Sequence, residues 1–238
     1  MRLLVTRPQA QGDNLANELR ERGHEIVVLP LLEIVAIPKS KISAPDVQAI
    51  IMTSAEAARH AHAHLDGRFF DKSVYAVGEA TAHAAREAGF SHVIVAGQDA
   101  RSLVSFVEKN LNVKAPALLY LCSIHRSDEI EKHLKASNFN LIVVPVYDAR
   151  PVLSSLKKLQ AVLSQKTLDG VLLFSPRTAA LFRDEVVKGN INVRQMTAYC
   201  LSQAVAEALK PLTMRVRSAP VPAQESLINL LENDQKAR

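Results

Sequence analysis

The two halves of this chain repeat each other, and this internal repeat constrains the fold more than any other feature of the sequence. Four short segments of the first half recur in the same order in the second half, at offsets of 115 to 124 residues. Four ordered matches with so little drift predict two similar units rather than a chance likeness. The matched pairs are Ile26–Pro30 with Leu141–Pro145, Ile51–Ser54 with Leu173–Ser175, Tyr75–Gly78 with Tyr199–Ser202, and Ser102–Leu103 with Ser226–Leu227.

Each half alternates short aliphatic runs with helical patterns, an order typical of parallel sheets covered by helices on both faces. We therefore predict an α/β protein with two flavodoxin-like parallel-sheet domains. The predicted helices of the first half begin near Gln11, Ala55, Glu79 and Ala100. The predicted strands are Leu3–Thr6, Glu25–Leu29, Ala49–Met52, Val74–Val77 and His92–Val95, then Ala117–Leu121, Leu141–Val144, Gly170–Phe174, Thr197–Leu201 and Arg215–Ser218.

Two extended segments flanked by prolines, 31–37 and 146–152, directly follow the matched second strands. If these segments run side by side, the first domain is discontinuous, and the N-terminal strand–helix–strand joins the last third of the chain. The alternative is two consecutive domains that meet near residue 113. The residues alone leave both arrangements open.

Composition excludes several classes of protein. With 48% hydrophobic and 22% charged residues among 238, the chain is neither disordered nor fibrous in character. No apolar run approaches the roughly 18 residues of a membrane span, and the first residues read as a strand rather than a signal peptide. We expect a cytoplasmic protein without membrane contact. Cys122 and Cys200 lack metal-ligand spacing and predict neither a disulfide framework nor a zinc site.

The net charge of +5 suggests an acidic partner, either nucleic acid or a small polyanion. The basic residues are scattered, tryptophan is absent, and no nucleic-acid-binding signature is found. We therefore expect no nucleic acid partner. A mildly basic surface without a ligand remains an alternative.

Small hydroxyl residues and glycine recur in the strand-to-helix turns. Ligands of open α/β sheets bind at this edge, where helix N-termini expose backbone N–H groups. The recurrence in both halves favours carboxylate or phosphate binding, although each serine or threonine taken singly is also explained as a helix cap. The candidate binding residues are Thr6, Arg7, Ser54, Gly78, Thr81, Ser123, Arg126, Ser175 and Ser202.

Several sharper motifs are absent. The sequence contains no dinucleotide or P-loop fingerprint, and no serine-hydrolase elbow surrounds Ser54 or Ser175. His60, His62 and His64 form an HxHxH run, for which we weigh a metal site against an exposed helix face and favour the exposed face. Tyr147 is unusual because its repeat counterpart is the apolar Leu32. An aromatic ring with a polar tip on a connecting segment either faces a cleft or is merely half-buried there.

Together these motifs resemble the uroporphyrinogen-III synthase family over nearly the whole chain. The resemblance implies two α/β domains joined by a two-stranded connector, with the active site in the cleft between them. The implied bounds are 1–33 with 152–238 for the discontinuous domain, 38–146 for the second, and 31–37 and 146–152 for the connector. The matching residues are Leu3–Pro8, Pro30–Ile34, Thr53–Ser54, Ala76–Ala82, Pro145–Tyr147 and Phe174–Pro176.

The resemblance also implies the chemistry. Hydroxymethylbilane, a linear tetrapyrrole, would lose water and close to uroporphyrinogen III, with its last ring inverted through a spiro intermediate. No metal or organic cofactor is implied, and we expect a monomer that receives substrate by transient hand-over from hydroxymethylbilane synthase. Tyr147 matches a tyrosine proposed to assist departure of the hydroxyl group. Thr81, Ser54 and Ser175 match family cleft and strand-end residues, and Arg126 falls near a basic position.

Two other classes compete with this assignment. Two α/β lobes around a cleft also describe non-catalytic proteins that bind a small polyanion by hinge closure. Such proteins usually carry a signal peptide or a DNA-binding segment, which we do not find here. A nucleotide-using transferase would need a phosphate loop, which is absent from the sequence.

Overall fold

A computed structural model describes residues 1–38 and 46–236. They form two compact units, Met1–Glu33 with Arg150–Arg238, and Ile34–Ala149. The division does not fall near residue 113, because the strand that begins at Ala117 pairs with the one that begins at Val47. Residues 39–45 and 237–238, which belong to the predicted domains 38–146 and 152–238, lie outside the described residues.

Strands and helices alternate along almost the whole described chain. In chain order they are β1 (Arg2–Val5), α1 (Gln9–Glu21), β2 (Glu25–Val28), β3 (Leu32–Ala36), β4 (Val47–Met52), α2 (Ala55–His60), β5 (Ser73–Ala76), α3 (Glu79–Glu87), β6 (His92–Val95), α4 (Ala100–Asn110), β7 (Ala117–Ser123), α5 (Glu129–Ala136), β8 (Leu141–Pro151), α6 (Leu153–Ser164), β9 (Gly170–Leu173), α7 (Pro176–Lys188), β10 (Thr197–Cys200), α8 (Gln203–Glu207), β11 (Arg215–Ser218) and α9 (Gln224–Lys236).

The first unit, which contains both ends of the chain, is built on a five-stranded sheet in the order β11-β10-β9-β1-β2. Every strand pair in it is parallel. Side chains alternate between the faces of a strand, so Leu4 packs into one apolar cluster and its neighbours Leu3 and Val5 pack into another. Burial of both faces explains the unbroken aliphatic runs of these strands.

The second unit is built on a six-stranded sheet in the order β3-β8-β7-β4-β5-β6. The pairs from β8 to β6 are parallel. One face carries a cluster around Ile50 and Leu119, and the other face carries a cluster around Ile51 and Leu118. No helix in the described ranges is both long and apolar enough to cross a membrane.

The two sheets have the same spatial order of equivalent strands, which confirms the predicted α/β fold class with parallel sheets. Strands β8-β7-β4-β5-β6 of the second unit correspond to β2-β1-β9-β10-β11 of the first. The chain order differs, because the pair at one edge comes first in the first unit and last in the second. The two units are therefore related by a circular permutation. Each matched segment occupies the equivalent position in its own sheet.

Strand β8 joins two segments that were predicted separately, the strand Leu141–Val144 and the extended segment 146–152. Its expected end was Val144, because Pro145 has no N–H group to donate to a ladder. The structure continues the strand to Pro151 by means of a bulge. Cys122 pairs with Pro145, whereas the next residue of β7, Ser123, pairs with Tyr147, so Val146 is the extra residue. This bulge sets the position of Tyr147 at the end of β7.

Candidate functional site

The carboxyl edge of the second sheet brings several predicted residues around one cavity of about 330 Å³. The cavity lies at the ends of β4 and β7, beside the bulge of β8. Its walls combine hydroxyl groups, one arginine, one histidine and one glutamate with apolar groups, which supply most of the lining surface. The lining residues are Thr53, Ser54, Val77, Ala100, Tyr120, Ser123, His125, Arg126, Ser127, Glu129, Ile130 and Tyr147.

Tyr147 and Ser54 form the central polar contact of this cavity. The Tyr147 hydroxyl lies 3.0 Å from Ser54 Oγ. Ser54 is the N-cap of α2, and its Oγ accepts a hydrogen bond from Ala57 N–H at 3.2 Å. The cap fixes the serine rotamer, and the phenol is held against it with only 8% of Tyr147 exposed. The sequence predicted each residue separately, and the fold places them in contact.

The Tyr147 phenol is held in its protonated form. Burial raises its pKa above the ordinary value near 10, the hydrogen bond from Ser54 lowers it, and the nearby Glu56 charge raises it again. The net shift is upward. Tyr120, whose hydroxyl lies 3.2 Å from Thr53 Oγ1, behaves in the same way, because burial raises its pKa to about 12. Both phenols are therefore proton donors at neutral pH.

Arg126 lies at the mouth of the cavity and is already engaged. Its Nε donates to Glu131 Oε1 at 2.6 Å, and its Nη1 donates to the carbonyl oxygens of Ser123 and Ile124. Burial lowers the pKa of Arg126, but its hydrogen bond with Glu131 raises it, and the net shift is upward. The guanidinium is therefore a permanent charge held in a fixed orientation. Arginine presents several donors, so the remaining N–H groups stay suited to an incoming carboxylate.

Gly78 and Thr81 occupy the next strand-to-helix turn along the sheet. Gly78 is the N-cap of α3 with φ of 74° and ψ of 157°, a conformation that favours glycine. Its N–H donates to Gly97 O at 2.8 Å, which ties the turn after β5 to the turn after β6. Thr81 is buried in the first turn of α3, and neither residue is among those lining the cavity around Tyr147. The turn adds a second place for backbone N–H donors on the same sheet edge.

His125 and Asp148 are functional candidates that sequence reasoning missed. His125 Nε2 lies 3.4 Å from Asp148 Oδ1, and His125 lines the same cavity as Tyr147. The two residues are 23 positions apart, and the bulge at Val146 brings them together, so no local spacing marks them. The adjacency of Asp148 to Tyr147 was the only available signal.

The histidine run is not the exposed helix face that we expected. Helix α2 ends at His60, and a short 3₁₀ turn follows, which breaks the helical spacing. His60 stacks on Tyr147 with ring centroids 6.0 Å apart, His62 stacks on Phe70, and His64 is buried at 3% exposure. Across residues 1–38 and 46–236, no three His, Cys, Asp or Glu side chains are grouped closely enough to hold a metal ion.

In the first unit, Thr6 and Arg7 follow β1. Thr6 is fully buried, and its hydroxyl donates to Leu172 O at 3.0 Å, which joins the ends of β1 and β9. Arg7 lies over the Phe174 ring at 4.4 Å and donates to Gln11 and Gln224. Thr6 therefore fixes the turn, and Arg7 is the residue of the two with accessible surface.

Ser175 and Ser202 begin helices at the ends of β9 and β10. Ser175 caps α7, with Oγ accepting from Thr178 N–H at 3.1 Å and lying 2.8 Å from Thr178 Oγ1. This matches the role of Ser54 in the other unit, as the repeat predicts. Ser202 precedes the short helix α8, and its side chain makes no capping hydrogen bond.

The cysteines play no chemical part in these sites. Cys122 and Cys200 are both free and buried. Burial raises the pKa of each thiol to about 12, so neither is a thiolate at neutral pH.

Parallel sheets with helix-capping serines at their carboxyl edges, and a cavity lined by a protonated tyrosine and an arginine, define an α/β protein of two units. A family model described as uroporphyrinogen-III synthase HemD matches residues 13–229. The chain belongs to the uroporphyrinogen-III synthase family.

Individual relatives agree with this membership. The porphyrin biosynthesis protein HemD of Ruminiclostridium josui is 26% identical over 243 residues, which cover 97% of this chain and 48% of that protein. The chain therefore spans about half the length of the curated relative it matches.

Solved structures support the fold. A mutant uroporphyrinogen III synthase of the extreme thermophile Thermus thermophilus aligns with a TM-score of 0.67 at 14% identity, covering 100% of this chain and 98% of that chain. The uroporphyrinogen-III synthetase of Helicobacter pylori 26695 aligns with a TM-score of 0.64 at 17% identity, covering 98% and 99%. At these identities the likeness establishes the fold alone.

Proposed function

We propose that this chain catalyses the uroporphyrinogen-III synthase reaction. It dehydrates hydroxymethylbilane and closes the macrocycle with inversion of the last pyrrole ring through a spiro intermediate. Family membership supports the assignment. The observation that carries it is the pairing of a buried, protonated Tyr147 with the helix-capping Ser54 in the cavity at the carboxyl edge of the second sheet.

The hydrogen bonds of Ser54 determine the direction in which the Tyr147 hydroxyl proton points. Ser54 Oγ already accepts from Ala57 N–H, so its own proton is available to Tyr147. When Ser54 donates to the phenol oxygen, the phenol proton points away from the serine and toward a ligand. Tyr147 then donates to the hydroxyl group of the bilane as the C–O bond breaks, and water rather than hydroxide departs.

Control of geometry is the larger part of catalysis in this proposal. Once water has left, the bilane is reactive enough to close without a protein to the uninverted isomer. The enzyme must instead hold the chain so that the last ring attacks through its substituted carbon. Carboxylate groups along the substrate are the natural handles, and a net charge of +5 attracts them.

We propose that the strand-end residues predicted from the sequence bind these carboxylates. Arg126 supplies a fixed positive charge, and helix N-termini supply backbone N–H donors. The Thr6 hydroxyl is buried and donates to Leu172 O. We therefore propose that Thr6 fixes the turn that carries Arg7. The remaining proposed contacts are Arg7, Ser54, Gly78, Thr81, Ser123, Ser175 and Ser202.

The proposal extends to the setting in which the enzyme acts. Hydroxymethylbilane closes spontaneously to the wrong isomer, so a short path from hydroxymethylbilane synthase to this enzyme is favoured, and we propose a transient hand-over. We propose further that the protein is a cytoplasmic monomer, as its family leads us to expect.

The deciding experiment is an isomer assay. Freshly prepared hydroxymethylbilane is supplied with and without protein, the products are oxidised, and the type I and type III uroporphyrins are separated by chromatography. We expect type III to dominate with protein and to be absent without it. Type I alone, formed at the spontaneous rate by folded protein, would overturn the proposal and leave polyanion binding as the function to measure.

A further inference from the structure

We infer that His125, held by Asp148, is a second catalytic residue: the base that takes the pyrrole N–H proton as water leaves the bilane. This inference rests on the proposed function. It names a proton acceptor to complement the proton donor Tyr147, since the reaction needs both at the same step.

The position of His125 suits this role. It follows β7 in a turn fixed by two backbone contacts, His125 N–H to Ser123 Oγ at 3.2 Å and Ile124 N–H to Tyr147 O at 3.0 Å. Its side chain is 53% exposed and lines the cavity that Tyr147 also lines. An accessible imidazole on a fixed backbone next to the proposed donor is placed to reach the same ring of the substrate.

Asp148 orients the imidazole. Its carboxylate is 9% exposed and approaches His125 Nε2 at 3.4 Å. In the structure this contact is an approach of the ring to the carboxylate and does not have the geometry of a hydrogen bond. In our proposal substrate binding tightens it, as it does for other catalytic hydrogen bonds that are long in the free enzyme. A carboxylate that accepts from Nε2–H selects the tautomer with a lone pair on Nδ1. The pair is therefore a His–Asp dyad whose outer nitrogen accepts a proton.

The charges around the dyad are balanced. Arg126 lies in the same turn and is neutralised by Glu131 of α5, and Glu129 of α5 is paired with Arg101 of α4. Tyr120 and Cys122 of β7, like Tyr147 of β8, have raised pKa values and are uncharged at neutral pH. Asp148 is the carboxylate that contacts the His125 ring directly, at 3.4 Å.

The protons balance over the reaction. In dehydration, the pyrrole N–H proton passes to His125 Nδ1, the nitrogen electron pair forms a C=N bond within the ring, the ring π electrons shift to the exocyclic C=C bond as the C–O bond breaks, and Tyr147 protonates the departing oxygen to give water. In ring closure, the substituted carbon of the last ring bonds to the exocyclic carbon, the azafulvene nitrogen takes its proton back from His125, and the nitrogen of the last ring loses its proton to the Tyr147 oxygen, which gives the neutral spiro intermediate. The bond from the spiro carbon to its original bridging carbon then breaks, and the N–H proton of the neighbouring ring passes to the nitrogen of the last ring. The bridging carbon bonds to the unsubstituted α-carbon of the last ring, whose hydrogen leaves as a proton and restores the N–H of the neighbouring ring. Both residues return to their starting states.

The test uses His125→Ala with a matched control in the full chain. His83 makes a similar carboxylate contact, with Nδ1 3.3 Å from Glu87, but lies outside the cavity. The rate and the ratio of type III to type I product are measured for wild type, His125→Ala and His83→Ala, with and without added imidazole. Thermal unfolding of each variant confirms that it is folded, which the exposure of both histidines favours.

We expect His125→Ala to lower kcat about 100-fold with little change in KM, as loss of a general base does. Imidazole should restore part of the rate, and His83→Ala should behave as wild type. An unchanged kcat, a rise confined to KM, or no rescue would each overturn the base role while wild type still makes type III. If wild type itself makes only type I, the proposed function fails instead, so the two failures are distinguishable.

Discussion

At the scale of single residues, the Tyr147 hydroxyl is a reactive group that one repeat has and the other lacks. Its counterpart is Leu32, an apolar side chain with no proton to give. We predict that Tyr147→Phe lowers kcat for type III formation about 100-fold, the size of a typical acid–base contribution. The ring stays, so packing in the apolar cluster around Leu119 is kept. Steady-state rates and the isomer ratio measure the effect.

Tyr75→Phe is the matched control for this substitution. Tyr75 is also a buried tyrosine of the second sheet, at 7% exposure, but it does not line the cavity. It should retain the wild-type rate. Equal losses in both variants would mean that Tyr147 acts through packing, and a wild-type rate in Tyr147→Phe would remove the phenol from the mechanism.

The raised pKa of Tyr147 predicts how activity depends on pH. Burial disfavours the phenolate, so the acid form that donates the proton persists below the raised pKa and is lost only above it. We therefore expect kcat to show no fall caused by this group up to about pH 10, the ordinary phenol value. The pH profile of kcat and ultraviolet titration of the phenolate in wild type and Tyr147→Phe test this. A fall near neutral pH that disappears in the variant would contradict it.

At the scale of elements, aliphatic runs and turn residues predicted most strands within one or two positions. The ten predicted strands all form, and α2, α3 and α4 begin at the expected residues. Segment 146–152 was predicted to be extended, but its continuity with β8 through Pro145 was not, because proline normally ends a ladder and only the register with β7 creates the bulge that tolerates it. The burial of His64 was missed because it depends on where α2 ends.

The candidate site, like the strands, was predictable only in part. Ser54, Ser123 and Tyr147 each follow a strand predicted from the sequence, and parallel strands bring their ends to one edge, so their proximity could be anticipated. The His125–Asp148 contact could not be, because it depends on a one-residue shift in pairing between β7 and β8. Tertiary register is a property of the whole sheet and leaves no local pattern.

The start of β9 gives an element-scale prediction about stability. A Cβ on Gly170 would lie 2.8 Å from Thr197 O and 3.0 Å from Tyr199 Cε2, both on the neighbouring strand β10. Gly170→Ala should lower the free energy of unfolding by about 1–3 kcal/mol, the usual cost of overpacking. Chemical denaturation measures it. Gly67→Ala is the control, since nothing lies within 4 Å of its Cβ position, and it should change stability little. Equal stabilities for both variants would contradict the steric argument.

At the scale of the whole molecule, the circular permutation between repeats follows from how the chain passes between units. It leaves the first unit after Glu33 and returns at Arg150, so the second unit is one uninterrupted stretch of chain. The first unit needs both ends of the sequence to complete its sheet, because β1 lies between β2 and β9. The two units therefore differ in what they require to fold, although their strand orders match.

This difference predicts that residues 31–152 fold when expressed alone. The stretch contains β3 to β8 in full, and every member of the two apolar clusters that cover its sheet lies between Ile34 and Ala149. Its length is that of an ordinary domain. We expect far-ultraviolet circular dichroism of an α/β protein and a cooperative thermal transition. Leu119→Ala in the same stretch should lower its stability by about 2–5 kcal/mol, because Leu119 is fully buried. A broad transition that Leu119→Ala leaves unmoved would show that this unit does not form its core without the rest of the chain.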